Sequence, residues 1–316
     1  MILELFFKHY IYKKVKRLFI PIAVAALLTA CGHRASTGNA TGADSVSTDS
    51  VVPFATDSIG LMREDTAVSV KVSVHWPKGS NKALVTSIRK YICEELAAGL
   101  TQEGQPNVIL YDDGKKAVDT TATQQYNDLL AGYREAKANG GLFDGMQFSY
   151  QLRITRLEDT DTYVTYLCNT EGFQGGAHGY ATASGITFRK SDGKRIGYRT
   201  VFNRQTEEFE IQEQTLFSNP RSSQLAALIK EGVRSYFQEF QDSTVTDKQL
   251  LDDLIGVNHV DSIPLPSTPP HFTKQGLCFI YQQYEIAPYA AGIINFDLPY
   301  SKVRSCLTKD AAELIK

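Results

Sequence analysis

From Val68 to Trp76 the chain alternates strictly, with Val68, Val70, Val72, Val74 and Trp76 against Ser69, Lys71, Ser73 and His75. A two-residue period is that of a strand with one face buried, and it places His75 on the polar, solvated face. The period then changes. Between Lys82 and Leu100, the residues Leu84, Val85, Ile88, Tyr91, Ile92 and Leu96 recur at helical spacing up to Gly99. A second helix is expected over about Thr121 to Asn139, carrying Tyr126, Leu129, Tyr133 and Ala136 and stopping at Gly140–Gly141.

Alternation returns at Met146, Phe148, Tyr150, Leu152 and Ile154, followed by a polar tip "RLEDTDTY", a returning "YVTYLCNT", and a further strand "YATASGITF". Asp192–Gly193 supplies another hairpin turn. These segments predict an antiparallel meander, in which "GFQGGAHGY" (Gly172 to Tyr180) joins two members. Beyond Asn219–Pro220 comes a helical stripe of Leu225, Leu228, Ile229, Val233, Tyr236, Phe237 and Phe240. Thr246 with Gln249 has the form of a capping box for a short helix through Leu254. The proline-rich "IPLPSTPPHF" is expected to run extended. Gly276 to Tyr284 and Gly292 to Leu298 are expected to be a strand pair joined by "EIAPYAA", with a last helix from Lys309. The fold class is therefore α+β, antiparallel sheets with helices packed on them.

The N-terminus is of a different kind. Lys8, Lys13, Lys14, Lys16 and Arg17 precede an apolar run from Leu18 to Ala30, which is too short for a stable membrane span. That run ends in "LLTACG", which resembles the lipobox of bacterial lipoproteins. The resemblance implies cleavage before Cys31, lipidation of its thiol and new amino group, and a place in the bacterial cell envelope. Several acyl chains would hold the protein to a membrane, at roughly 0.8 kcal/mol per buried CH₂. The folded part would then be periplasmic or extracellular. Residues 31–64, rich in Ser, Thr, Ala, Gly and Asp, are expected to form a flexible tether. The domain plan is a signal peptide over 1–30, the tether over 31–64, and α+β halves over 65–200 and 201–316.

Loss of residues 1–30 leaves 28 Lys and Arg against 34 Asp and Glu, a net charge of −6. An acidic chain argues against nucleic acid and tolerates a basic partner. Cys93, Cys168, Cys278 and Cys306 could form two disulfides in an oxidising envelope, or serve as small buried hydrophobes. None has CxxC spacing, no HExxH or GxSxG occurs, and Val164 stands where a calcium loop over Glu158 to Asp161 needs glycine. No metal or cofactor is expected.

Two segments remain as candidates for function. In the first, Gly175, Gly176 and Gly179 allow positive φ or close backbone approach and leave His178 and Tyr180 as candidate contacts. In the second, "YQQYEIAPYAAG", Tyr284 and Tyr289 offer contact area and Glu285 a carboxyl among tyrosines, on a loop shaped by Pro288 and Gly292. Together, "GGAHGY" and "YEIAPYAAG" resemble the extracytoplasmic domain family found in RsiV-type anti-sigma factors and PdaC-type peptidoglycan deacetylases. The resemblance covers roughly Thr66 to Cys306. It implies two intimately packed α+β halves, a C-terminal domain of unknown function with its N-terminal companion, and binding of a lysozyme-like muramidase or of peptidoglycan. It carries over neither a sigma-binding segment nor a deacetylase domain. Three readings stay open: a non-catalytic binding domain on an envelope lipoprotein, a cell-wall hydrolase using Glu285 and His178, and a structural component of an envelope complex.

Overall fold

In a computed structural model the described residues are 52–98, 108–143, 145–203, 205 and 208–315. The expected signal peptide over 1–30, Cys31 and the expected tether up to residue 51 lie outside them.

Strand β1 (Ala55–Glu64) and β2 (Val68–Lys78) form an antiparallel hairpin, with Asp65 closing the turn through bonds from the Ala67 and Val68 N–H groups, both at 2.8 Å. This corrects the expected extent of the tether, since 55–64 are part of the sheet. The segment looked like linker because β1 is an edge strand, and its Asp57, Ser58 and Gly60 face water rather than a core. Helices α1 (Lys82–Ala98) and α2 (Gly114–Ala138) then carry the chain across to β3 (Phe148–Asp159), which pairs with β2 in parallel. The sheet is otherwise antiparallel, and this one parallel pair arises because a helical crossover brings the chain back in the same direction. From β3 the meander runs as expected through β4 (Tyr163–Phe173), β5 (Tyr180–Arg189) and β6 (Arg195–Ile196), giving the order β1-β2-β3-β4-β5-β6.

Helix α2 starts seven residues before the expected point. Asp113 is its N-cap, accepting from Lys115 N at 2.7 Å and Lys116 N at 3.2 Å, and the first turns bury Ala117, Val118, Thr121 and Ala122. Gly114 is required there: a Cβ would lie 2.5 Å from the Trp76 ring. Both helices pack on one sheet face, where Val68, Val70, Val72 and Val74 are 0–1% exposed. Each such side chain contributes roughly 1.5–3 kcal/mol by burial.

His75 also departs from expectation. It is half-buried, and its Nδ1 accepts the Arg156 N–H at 3.1 Å, just past the last β2–β3 pair, Val74 with Ile154. Burial, and secondarily the Arg156 charge, hold its pKa below the usual histidine value.

Downstream, β7 (Arg199–Asn203) and β8 (Glu208–Gln212) make a hairpin that the sequence pattern did not reveal. Helix α3 (Ser223–Gln241), capped by Ser222, and α4 (Asp247–Asp253), with the capping box of Thr246 and Gln249, follow. A three-stranded sheet of order β11-β10-β9 is built from β9 (His271–Phe272), β10 (Leu277–Tyr281) and β11 (Ile294–Leu298). The short helices α5 (Tyr300–Val303) and α6 (Lys309–Ala312) end the chain. The stripe on α3 meets this sheet so closely that a Cβ at Gly232 would touch the Phe296 ring at 2.2 Å.

The two hydrophobic clusters lie within one compact unit beginning at residue 50. Their seam is β5 against β9. Phe272 N–H donates to Thr187 Oγ1 (3.0 Å), and Thr165 Oγ1 donates to Phe272 O (2.8 Å). With the Thr165 proton so used, the 3.0 Å contact between the two hydroxyls is donated by Thr187, closing a ring of three bonds. His271 lies over Gly185, where a Cβ would come 2.0 Å from its Nδ1. The four cysteines among the described residues are free thiols, with Cys93, Cys168 and Cys306 buried and Cys278 half-buried.

Candidate functional site

The Gly172–Tyr180 pair is the last rung between β4 and β5, so the intervening residues must reverse the chain in a short loop. Gly175 (φ 88°) and Gly176 (φ 87°) do so in the left-handed region. Gly179 serves by close approach, since a Cβ there would be 2.6 Å from Gly172 O. At the tip, His178 is exposed, and its Nδ1 lies 2.9 Å from Gly179 O. A carbonyl only accepts, so Nδ1 carries the proton and Nε2 is left as an acceptor facing outward from that bond.

The second segment follows β10. Tyr284 adopts φ 65°, a left-handed conformation costly for a tyrosine, and is 57% exposed. Pro288 precedes a single 3₁₀ turn, Tyr289–Ala291, which Gly292 ends at φ 72°. Tyr289 donates its hydroxyl to Gly179 O at 2.9 Å, and its ring stacks on His178 with centroids 3.8 Å apart and planes 22° apart. Tyr284 lies beside Tyr289 at 5.7 Å, tilted 37°. The histidine and two tyrosines, from segments more than a hundred residues apart, thus make one continuous aromatic surface.

Gln282 and Gln283 hold the two segments together, a role the sequence pattern did not indicate. Gln282 accepts from Ala183 N (3.1 Å) and donates to Ala183 O (2.6 Å), while Gln283 accepts from Ala181 N (3.0 Å). Their amides satisfy the outer edge of β5 where β6, paired only at Thr187 and Phe188, does not reach. The signal was present as "QQ" directly after a strand, but a glutamine's target depends on what the fold brings near it.

Two expected contacts lie elsewhere. Tyr180 is on the helix-bearing side of β5, the side of Phe188, by strand alternation, with its hydroxyl over Gly172. Burial raises its pKa, against a hydrogen bond with Gln174. Glu285 is turned into the structure. Its Oε1 accepts from Ser267 N at 2.5 Å and its Oε2 from Gln282 N at 2.7 Å, which ties the tyrosine loop to the proline-rich connection. Among the described residues no hydrogen bond or ion pair joins Glu285 to His178, and no group of three or more His, Cys, Asp or Glu is placed to hold a metal ion.

Residues 214–301 match the family model described as "Protein of unknown function (DUF3298)". The C-terminal half carries a DUF3298 domain. This DUF3298 match includes Tyr284, Glu285 and Tyr289 but not the loop bearing His178, so the aromatic surface is completed from outside the matched region. A crystal structure of a DUF3298 family member from Bacteroides fragilis superposes with a TM-score of 0.55 at 17% identity, covering 82% of this chain and 94% of that one. A DUF3298 family protein from Pseudomonas aeruginosa gives a TM-score of 0.47 at 12% identity, over 82% of this chain and 96% of that one. The first of these shows a shared fold that extends well beyond the DUF3298 match. No curated protein matches the chain.

Proposed function

We propose that the protein is a lipoprotein anchored through Cys31 in a bacterial envelope, whose folded unit binds a partner without catalysis through the His178, Tyr289 and Tyr284 surface. The observation that carries this is the stack itself. An exposed histidine ring is held face to face with a tyrosine whose hydroxyl is already bonded, and a second tyrosine is kept beside it in a costly backbone conformation. Rings fixed in this way offer contact area at low entropic cost. The partner class comes from the family resemblance: a lysozyme-like muramidase, to which an acidic chain is electrostatically suited, or peptidoglycan glycan. Nothing favours the hydrolase reading. Glu285 is turned to the backbone N–H groups of Ser267 and Gln282, and among the described residues no hydrogen bond or ion pair joins it to His178.

The test is a pull-down of the full-length chain in detergent with lysozyme and, separately, with purified peptidoglycan, using the wild type and Tyr284→Ala. Binding of at least one and its loss in the variant support the proposal, and binding of neither removes it. Anchoring is tested separately: Cys31→Ala abolishes acyl labelling and membrane retention if the lipobox is used, and unchanged retention refutes it.

A further inference from the structure

The two edges of the six-stranded sheet are finished differently. At one, β6 pairs with β5 at only two positions, and the Gln282 and Gln283 amides bond the β5 backbone beyond it. At the other, β1 runs for ten residues in unbroken register with β2, and no further strand among the described residues pairs with it. A typical strand has about five or six residues, and exposed edges are normally blunted by lysine, proline or a bulge. Between Ala55 and Glu64, β1 has none of the three.

The ladder fixes which backbone groups are free. Asp65 N–H donates to Val68 O at 2.9 Å, and bonded pairs recur at every second residue of an antiparallel ladder, so Arg63, Leu61, Ile59 and Asp57 turn their N–H and C=O groups to β2. On the far side of β2, Phe148 N–H donates to Ala67 O at 2.8 Å, which requires the same alternation. Ser58, Gly60 and Met62, all exposed, therefore turn their backbone groups outward. Side chains alternate between the two faces of the sheet. Asp57, Ile59, Leu61 and Arg63 share the face that carries α2, where Ile59 and Leu61 are half-buried against the core and Arg63 pairs with Asp119 at 3.0 Å.

We propose that β1 pairs antiparallel with β1 of a second copy of this chain, centred on Gly60, so that the two sheets become one. With that centre the outward-turned residues meet each other, Gly60 opposite Gly60 and Ser58 opposite Met62 of the second copy. On the α2 face, Asp57 stands opposite Arg63 and Ile59 opposite Leu61, each twice by symmetry. The charges are complementary, and the half-buried apolar row continues across the junction. Opposed side chains of such a pair are about 4.5–5.5 Å apart at Cβ, within reach of one another. Asp57 already pairs with Lys78 and Arg63 with Asp119, so the junction joins two surface ion pairs of small individual worth into one network. A slide of two residues would set Asp57 opposite Leu61 or Asp65, losing the match, and a slide of one would set outward groups against groups already bonded to β2. The junction shares no residue with the aromatic surface and does not depend on the binding role proposed for it.

The full-length chain in density-matched detergent is followed by sedimentation equilibrium over a range of concentrations, and a monomer–dimer equilibrium is expected. Register is read by oxidative cross-linking. A mixture of Ser58→Cys and Met62→Cys chains forms disulfide dimers, whereas neither variant alone does so above the wild-type background, because like positions lie four residues, or about 13 Å, apart. Arg63→Glu, which opposes Asp57 with a like charge at both ends, weakens dimerisation about tenfold or more, and His178→Ala leaves it unchanged. Met62→Pro, which removes an outward N–H from each copy, gives the same loss if Arg63→Glu does not fold. A chain that stays monomeric overturns the proposal, whether hydrogen exchange finds the Ser58, Gly60 and Met62 amides covered by a segment of the same chain or open to solvent. So does a dimer that lacks the Ser58–Met62 cross-link, or one that the folded Arg63 or Met62 variant leaves unchanged.

Discussion

Two histidines lie against the β4–β5 pair, one on β9 of the C-terminal half and one in the loop that joins the two strands, and they are held in opposite ways. His271, on β9, is 2% exposed and sealed against Gly185, and its Nδ1 has no hydrogen-bond partner. His178, in the loop between β4 and β5, is exposed, bonded to a backbone carbonyl and stacked on Tyr289. A ring that fills a seam leaves no surface for a partner and costs stability when it must be charged. A ring that lies over a tyrosine in water keeps its surface and contributes little to folding.

The largest effect that separates them is expected from Gly185→Ala. The added methyl has no room beside His271, and a loss of about 3 kcal/mol, the upper end of overpacking, should appear as a lower urea midpoint. Acidification comes next. Burial holds the His271 pKa down to about 4, below its unfolded value, so the fold favours the neutral ring. Its contribution is whole above pH about 6.5 and is lost as the pH falls towards 4, by roughly 3 kcal/mol at most. Urea melts at pH 7, 5 and 4, with the His271 Cε1–H signal followed by NMR, check this, and titration of that ring near 6.5 would end the contrast.

Glu285→Ala should cost about 2 kcal/mol through the two backbone N–H groups it leaves behind, and thermal melting reads this. If Glu285 were instead a free functional acid, stability would hardly change. Smallest in stability is His178→Ala, at under about 0.5 kcal/mol by the same melt. Its effect belongs to partner capture, and a variant that lost stability but kept binding would place His178 with His271 as a packing residue.

Much of the fold could be read from periodicity because each element buries one face. β2, α1, the meander and α3 stand where the apolar spacing put them. The reading failed where burial is partial or the pairing is non-local. β1 is an edge strand whose Ile59 and Leu61 are only half-buried, and the parallel β2–β3 pairing depends on a crossover that no local pattern encodes. In the candidate site, the glycines announced a sharp loop and the tyrosines a surface. The inward turn of Glu285 and the place of Tyr180 on the helix-bearing side of β5 were not visible, because a carboxyl or a phenol shows no preference until neighbouring N–H groups and rings are in place.

By itself the sequence determined local matters: which segments are helix or strand and which loops need glycine. Those depend on backbone sterics and on spacing along the chain, which are properties of neighbouring residues. The tertiary structure alone decided that His178 and Tyr289 share one face and that Gln282 and Gln283 complete the edge of β5. Each of these joins groups far apart in sequence, and their partnership exists only once the core has brought the strands together.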